Sequence, residues 1–384
     1  MKKPATFASF LEDLSCKPIE KLLAKVPEWS GTDGLQVPSA INAEQCSSSP
    51  TARYKAALAA SVCRSEKPVI ADLTGGLGVD SFFFSTLGGE VLYVERNAGL
   101  AAAAARNFKA LGADGIKTVN MQAGNDRRTE SLLETFKADL VFLDPARRSS
   151  TGGKVFLLEE SEPDILPMLP MLLRHSPAVL LKLSPMADLT MLRKRLGSHL
   201  SELHIVQSRG EVKELLALLE RDHPGGEPLT VAADADTGAS FSFLPSEEAR
   251  SAGTFIREDS LQEGARFFEP GAALLKSGAF KLPCSRFGLQ KFSSQTHLFL
   301  IPDAIPEPLL AFGKVWEILE SMPFGSASIK ETGRRHPKAE VSARGIPMKS
   351  EELRKRLGTS SGGDLHIFGA GCVRQRFLLV CRRV

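Results

Sequence analysis

Between Val69 and Glu95 the chain reads V-I-A-D-L-T-G-G-L-G-V-D-S-F-F-F-S-T-L-G-G-E-V-L-Y-V-E. A short apolar run, Val69 to Ala71, ends on Asp72, and a loop containing Gly75, Gly76 and Gly78 follows. An apolar stretch from Val79 to Leu87 leads to a second apolar run, Val91 to Val94, which ends on Glu95. Strand, glycine turn, helix, strand is the opening unit of a parallel α/β sheet that binds a ligand beyond the carboxyl ends of its strands. Glycine lets the turn tighten and a ligand approach, and the following helix aims its first N–H groups at that ligand. A carboxylate ending the second strand, about twenty residues after the turn, stands where a ribose diol is held.

Two cofactor classes use such a turn, the nicotinamide or flavin dinucleotides and S-adenosylmethionine. A dinucleotide loop spaces its glycines as G-x-G-x-x-G to seat a pyrophosphate. Here the order is Asp72-x-Thr74-Gly75-Gly76-x-Gly78, with an acid just ahead of the glycines. A carboxylate at that point repels a pyrophosphate and suits the amino group and sulfonium of S-adenosylmethionine. Asp72, Thr74, Gly75, Gly76, Gly78 and Glu95 are therefore the candidate cofactor-binding residues.

The alternation continues downstream. A-G-L-A-A-A-A-A-R-N-F-K-A-L-G predicts a helix ending at Gly112, and Ile116 to Met121 a third strand. In A-G-N-D, Asp126 is either an adenine contact, which we favour, or plain turn chemistry. A fourth strand, Ala138 to Leu143, ends in D-P-A-R-R. Asp144, Pro145, Ala146 and Arg147 are the candidate catalytic group. The carboxylate and nearby carbonyls can hold an N–H, or assist loss of its proton, while the nitrogen attacks a methyl carbon in line. Ser149 to Lys154 reads as a substrate lid. A helix over about 163–175, a strand over 178–183, a helix to about Leu196 and a strand over 203–207 follow. E-V-K-E-L-L-A-L-L-E, residues 211–220, has a helical composition but suits a seventh strand, which we favour. Thr230 to Leu244 reads as an extended excursion closing the domain.

Upstream, Leu11, Leu14, Ile19, Leu22, Leu23 and Val26 recur at near-helical spacing. Ser49 or Thr51 can cap a helix from about Pro50 to Val62 that either folds over the cofactor mouth or packs beside the sheet. With Lys2 and Lys3 but acids soon after and no apolar run, the first residues do not read as a signal peptide, so we expect a cytoplasmic protein. The six cysteines are scattered with no C-x-x-C pair, and neither they nor the histidines have ligand spacing, so no metal is expected. Net charge is only +3, yet from Lys330 onward thirteen Lys and Arg stand against five acids, leaving about −5 for the rest. A basic C-terminal module points to a polyanion, nucleic acid first. Ser350, Glu351 and Glu352 are expected to cap a helix carrying Arg354, Lys355 and Arg356, with a terminal β-pair after it.

With these motifs in hand the chain resembles the class I S-adenosylmethionine-dependent methyltransferases. E-Q-C-S-S-S-P-T-A-R-Y-K-A, D-P-A-R-R and F-E-P-G-A-A-L-L-K-S-G-A-F narrow the likeness to a bacterial family with a small ferredoxin-like unit and a C-terminal THUMP-like domain. The resemblance implies an α/β fold, a Rossmann-like seven-stranded sheet with an N-terminal helical region and small C-terminal α+β domains. It implies limits of 1–66, 67–245, 246–319 and 320–384 for the helical region, methyltransferase domain, ferredoxin-like unit and THUMP-like domain. THUMP domains occur in RNA-modifying enzymes, so the implied substrate is structured RNA and the expected acceptor a nitrogen of a nucleotide. Asp72 and the glycines would hold the methionine end, Glu95 the ribose, Asp126 the adenine, and Asp144 to Arg147 the reacting group. Arg147 stands where base N-methylating enzymes often carry an aromatic, and Ser184 where uracil C5-methylating enzymes need a cysteine, which argues against covalent pyrimidine chemistry. A small-molecule or protein substrate, a non-catalytic binding module and a dinucleotide oxidoreductase stay open as alternatives.

Overall fold

The computed structural model of the chain describes residues 17–147, 158, 161–302 and 304–384. Two compact units are present, Met1–Ser208 with Val212–Leu229, and Arg209–Glu211 with Thr230–Val384. The expected lid segment lies outside the described residues, as do Leu11 and Leu14.

In the first unit the strands are β1 (Ile70–Asp72), β2 (Val91–Glu95), β3 (Ile116–Asn120), β4 (Leu140–Leu143), β5 (Ala178–Leu183), β6 (Leu200–Ser208) and β7 (Glu211–Glu220). They follow the order β6-β7-β5-β4-β1-β2-β3. Strand β1 pairs in parallel with both β2 and β4, and β7 runs antiparallel to β5. Chain order thus reverses at β1, which opens a crevice beyond the carboxyl ends of β1 and β4. The central strands are apolar throughout because helices cover both faces: β1 and β4 are wholly buried, while β3 at the edge exposes Lys117 and Asn120. The favoured strand over 211–220 is present. Leu215, Leu216, Ala217, Leu218 and Leu219 are all buried, and two-sided burial beside β5 overrides the helical preference of Leu, Ala and Glu.

The helices of this unit are α1 (residues 17–25), α2 (Ala40–Gln45), α3 (Ser49–Val62), α4 (Val79–Ser85), α5 (Ala98–Ala110), α6 (Arg127–Phe136), α7 (Ile165–His175) and α8 (Leu189–Leu196). Helix α3 starts one residue before the expected Pro50, and Ser48 rather than Ser49 or Thr51 is its N-cap residue. The Ser49 hydroxyl donates to Glu28 instead, tying α3 to the preceding loop. Among the described residues no helix is long and apolar enough to cross a membrane.

The second unit holds a hairpin of β8 (Leu229–Asp234) and β9 (Ser240–Phe243), so the excursion over 230–244 is antiparallel strand. Helices α9 (Pro245–Arg250), α10 (Ala272–Ser277), α11 (Leu282–Phe287), α12 (Glu307–Leu310), α13 (Ser326–Arg335) and α14 (Ser350–Leu357) follow. The strands β10 (Arg266–Pro270), β11 (Gln290–Lys291), β12 (Phe299–Ile301), β13 (Gly313–Pro323), β14 (Glu340–Arg344), β15 (Leu365–Gly371) and β16 (Arg376–Arg383) form a sheet in the order β11-β12-β10-β13-β16-β15-β14. One face packs Phe267, Phe292, Trp316 and Phe368, and the other packs Ile367, Leu378 and Val380 under α13 and α14. The expected junction at 319/320 falls inside β13, whose two edges pair with β10 and β16, so the sheet runs across it. Ser350 is the first residue of α14 rather than its cap; its hydroxyl accepts from the Ala343 N–H.

At two positions of the glycine turn packing leaves no room for a side chain. A Cβ on Gly75 would lie 2.1 Å from the Tyr93 ring, and one on Gly78 would lie 2.5 Å from the Phe108 ring. Gly76, at φ +55°, has open space around it. Gly76→Ala is therefore expected to cost about 1 kcal/mol of left-handed strain, and Gly78→Ala, at φ +88° and against a ring, roughly 3 kcal/mol or more. Urea unfolding of the two variants side by side measures this; equal losses would show that Phe108 gives way.

Candidate active site

The crevice beyond β1 and β4 is a cavity of about 770 Å³, the size of a site for a nucleoside-sized ligand. Its floor is the loop between β1 and α4. Asp72 is buried at the end of β1, where its carboxylate accepts from the Thr74 N–H at 3.1 Å and the Ser81 hydroxyl at 2.6 Å. Burial pushes this carboxyl up to about 7, against the pull of the Ser81 hydrogen bond. At the end of β2, Glu95 accepts from the N–H groups of Gly76 at 3.0 Å and Asn97 at 2.7 Å. The Tyr93 hydroxyl donates to the Gly76 carbonyl at 2.5 Å. The Thr74 hydroxyl accepts from the Asp144 N–H at 2.5 Å, joining the loop to the turn after β4. Asp72, Thr74, Gly75, Gly76, Gly78 and Glu95 all line the cavity.

Asp144, Pro145 and Ala146 line it from the other side. The backbone of Arg147 pairs with that of Ser161, and its side chain lies outside what is described. Asp126 does not join the group. It is the N-cap of α6, accepting from the Thr129 N–H at 2.8 Å, and Met121, Gln122 and Ala123 line the cavity in its place. The turn chemistry of G-N-D thus starts a helix, and that use engages Oδ1 of the carboxylate.

Sequence reasoning missed the charges around Asp144. Lys182, near the end of β5, places its Nζ 2.5 Å from the Asp144 carboxylate at the cavity wall. Glu214 on β7 and Asp80 on α4 also reach the cavity. Beneath them Lys55, with a fully buried side chain, lies 2.6 Å from Glu214 and 3.2 Å from Asp80. The Ser47 hydroxyl donates to Asp80 at 2.8 Å. Burial works against the charge on Lys182, but Asp144, Glu214 and Asp80 outweigh it and hold its pKa above the ordinary lysine value. Burial raises the Glu214 pKa, with Lys55 and Lys182 opposing. A lone lysine in the apolar run A-V-L-L-K-L was the available signal. The segment before α3 does reach the mouth, since Asn42, Gln45, Cys46 and Ser47 line it, while α3 itself packs beside α4 and sends Lys55 under the site. Elsewhere, Glu130, Glu134 and His175 bring ligand-type atoms within 4.8 Å of one another, but Arg127 and Arg174 already pair with these carboxylates.

Known families match three stretches of the chain: a SAM-dependent methyltransferase family at 40–150, a ferredoxin-like domain at 267–307 and a THUMP domain-like family at 313–383. No curated protein matches. Among solved structures, a Porphyromonas gingivalis W83 protein described as a methyltransferase is 30% identical with a TM-score of 0.83, over 100% of this chain and 92% of that one. A Pyrococcus horikoshii protein described as an RNA methyltransferase is 21% identical over 45% of this chain and 77% of that one, with a TM-score of 0.31. The cofactor-bound Rv0187 from MTB is 15% identical over 58% of this chain and 99% of that one, with a TM-score of 0.36.

Removing one member of a buried ion pair strands its partners. Lys55→Met leaves Glu214 and Asp80 without their closest cation and is expected to cost about 3–5 kcal/mol. Lys55→Met with Glu214→Leu is expected to recover part of that loss. Denaturant unfolding of the single and double variants is the measurement; an unaffected single variant would mean the site neutralises its acids without Lys55.

Proposed function

The chain belongs to the family of SAM-dependent methyltransferases with a ferredoxin-like and a THUMP-like domain, and from that we propose that it transfers a methyl group from S-adenosylmethionine to a nucleotide of structured RNA. The observation that carries this reading is the single cavity in which Asp72, the glycine loop, Glu95 and Asp144 meet. The residues fit the cofactor chemically. Asp72 would face the positively charged methionine end. Glu95 accepts one N–H from the loop at Gly76 and one from Asn97, which leaves lone pairs for two ribose hydroxyls. Gln122 on the cavity wall and Asp126 a few residues on are the two candidates for the adenine edge. When bound, S-adenosylmethionine supplies an electrophilic methyl on a charged sulfur. Asp144, anchored by its own N–H to Thr74, would orient the acceptor in line with that methyl. It would serve a nitrogen or an oxygen acceptor, since both lose a proton on the way to product.

The basic C-terminal sequence supports an RNA partner. Helices α13 and α14 lie side by side on one face of the sheet, with Lys330, Arg334, Lys355 and Arg356 exposed. These charges are free of the sheet's core and suited to a phosphate backbone. A THUMP-like match over the same residues supports the same partner.

The deciding experiment incubates the full chain and radiolabelled S-adenosylmethionine with RNA, DNA and protein from a strain lacking the gene. Label is expected in RNA alone; label in protein or DNA would overturn the RNA reading and leave the methyltransferase. Replacing Lys330, Arg334, Lys355 and Arg356 by Glu is expected to weaken RNA binding at least tenfold and flatten its salt dependence, with cofactor affinity unchanged.

Cofactor affinity is expected to depend on pH through Asp72. Its pKa of about 7 in the free protein lies above that of an exposed carboxyl, so near pH 6 it is mostly protonated. A cationic ligand favours the ionised form, so affinity rises from pH 6 to pH 8, by up to about tenfold, with a proton released on binding below pH 7. Calorimetric titration at three pH values checks this, and an affinity flat across the range would remove Asp72 from the methionine end.

A further inference from the structure

The acceptor side of the cavity holds more charge than a nitrogen acceptor requires. Two lysines and three carboxylates converge there from distant parts of the chain: Lys55 from α3, Asp80 from α4, Asp144 after β4, Lys182 from β5 and Glu214 from β7. Closing such groups off from water costs several kcal/mol per ion, and apolar side chains would pack the same space more stably. Clusters of this kind mark sites of proton transfer.

The sign of the charge at the reacting position discriminates between acceptors. A neutral amino nitrogen becomes more positive as it attacks a methyl carbon, and an ammonium beside it raises the barrier. A hydroxyl is a weak nucleophile that becomes more negative as its proton leaves. A fixed ammonium stabilises that charge and a carboxylate takes the proton. Lys182 and Asp144 supply this pair at the cavity wall, 2.5 Å apart, with 14% and 39% of their side chains exposed. Both are open enough to meet a substrate. In RNA the hydroxyl carried by every internal nucleotide is on the ribose.

Resting on the reading of the cavity as an RNA methyltransferase site, we propose that the acceptor is a ribose 2′-hydroxyl, with Asp144 taking its proton and the Lys182 ammonium stabilising the oxygen. The oxygen–methyl bond forms as the methyl–sulfur bond breaks, and sulfur keeps that electron pair and loses its positive charge. The proton passes to Asp144 and then to water. Glu214 and Asp80 are positioning residues that keep Lys182 charged, and Lys55 holds those two acids in place.

The test reads the chemical form of the product. RNA labelled by the full chain is hydrolysed completely in alkali, which cleaves next to every free 2′-hydroxyl and leaves a 2′-O-methylated position as an alkali-stable dinucleotide. Label in dinucleotides is the expected result. Label in mononucleotides would overturn the ribose assignment while leaving the RNA methyltransferase reading intact. Label absent from RNA, with cofactor binding confirmed, would remove both. Lys182→Met is expected to lower kcat at least ~100-fold with the cofactor Kd within threefold, and Lys182→Arg to recover part of the rate. Full turnover by Lys182→Met would overturn its role.

Discussion

A buried ammonium has to be neutralised where it stands, and Lys55 meets that demand with acids from two separate elements. Much of the first unit is bound by this requirement. Helix α3 must enter below the sheet's carboxyl edge, α4 must present Asp80 toward it, and β7 must run antiparallel to β5 so that Glu214 arrives at the same depth. The residues just ahead of α3 take part as well: the Ser47 hydroxyl holds Asp80, while its neighbours Gln45 and Cys46 line the cavity. The motif E-Q-C-S-S-S-P-T-A-R-Y-K therefore has a physical meaning. It is the cover and the foundation of one pocket, written in consecutive residues.

The core of the fold was legible because strand, turn and strand carry different residue types. The runs before Asp72 and Glu95 can only be buried strands, and acids at their ends have nowhere to go but the crevice. The reasons for the glycines were less legible. Nothing in the order of residues shows that Tyr93 and Phe108 press against Gly75 and Gly78, because those rings come from the next strand and the helix after it. Asp126 shows a local signal at work, since its G-N-D turn also starts α6. Lys182 and Glu214 were hidden because a charge inside an apolar run acquires its significance only from partners that the fold brings near.

In the second unit the same distinction between local and distant signals applies. Helix α14 follows from its own residues, and its basic side is visible as sequence. The continuity of the sheet is not, since β13 looks like one strand of a small motif until both of its edges are seen to be paired. Trp316 on this strand illustrates the dual allegiance: its ring packs with Phe368 from the C-terminal part, while its indole N–H donates at 2.9 Å to Glu269 on β10.

That dual allegiance bears on how such a protein is assembled over generations. The ferredoxin-like and THUMP-like stretches meet at about residue 310, a natural place to cut a gene. A cut there would leave β10 with an open edge, since the strand that completes it belongs to the other side. The pair behaves as a single cassette. Separating its halves would leave each with a surface that is interior in the whole.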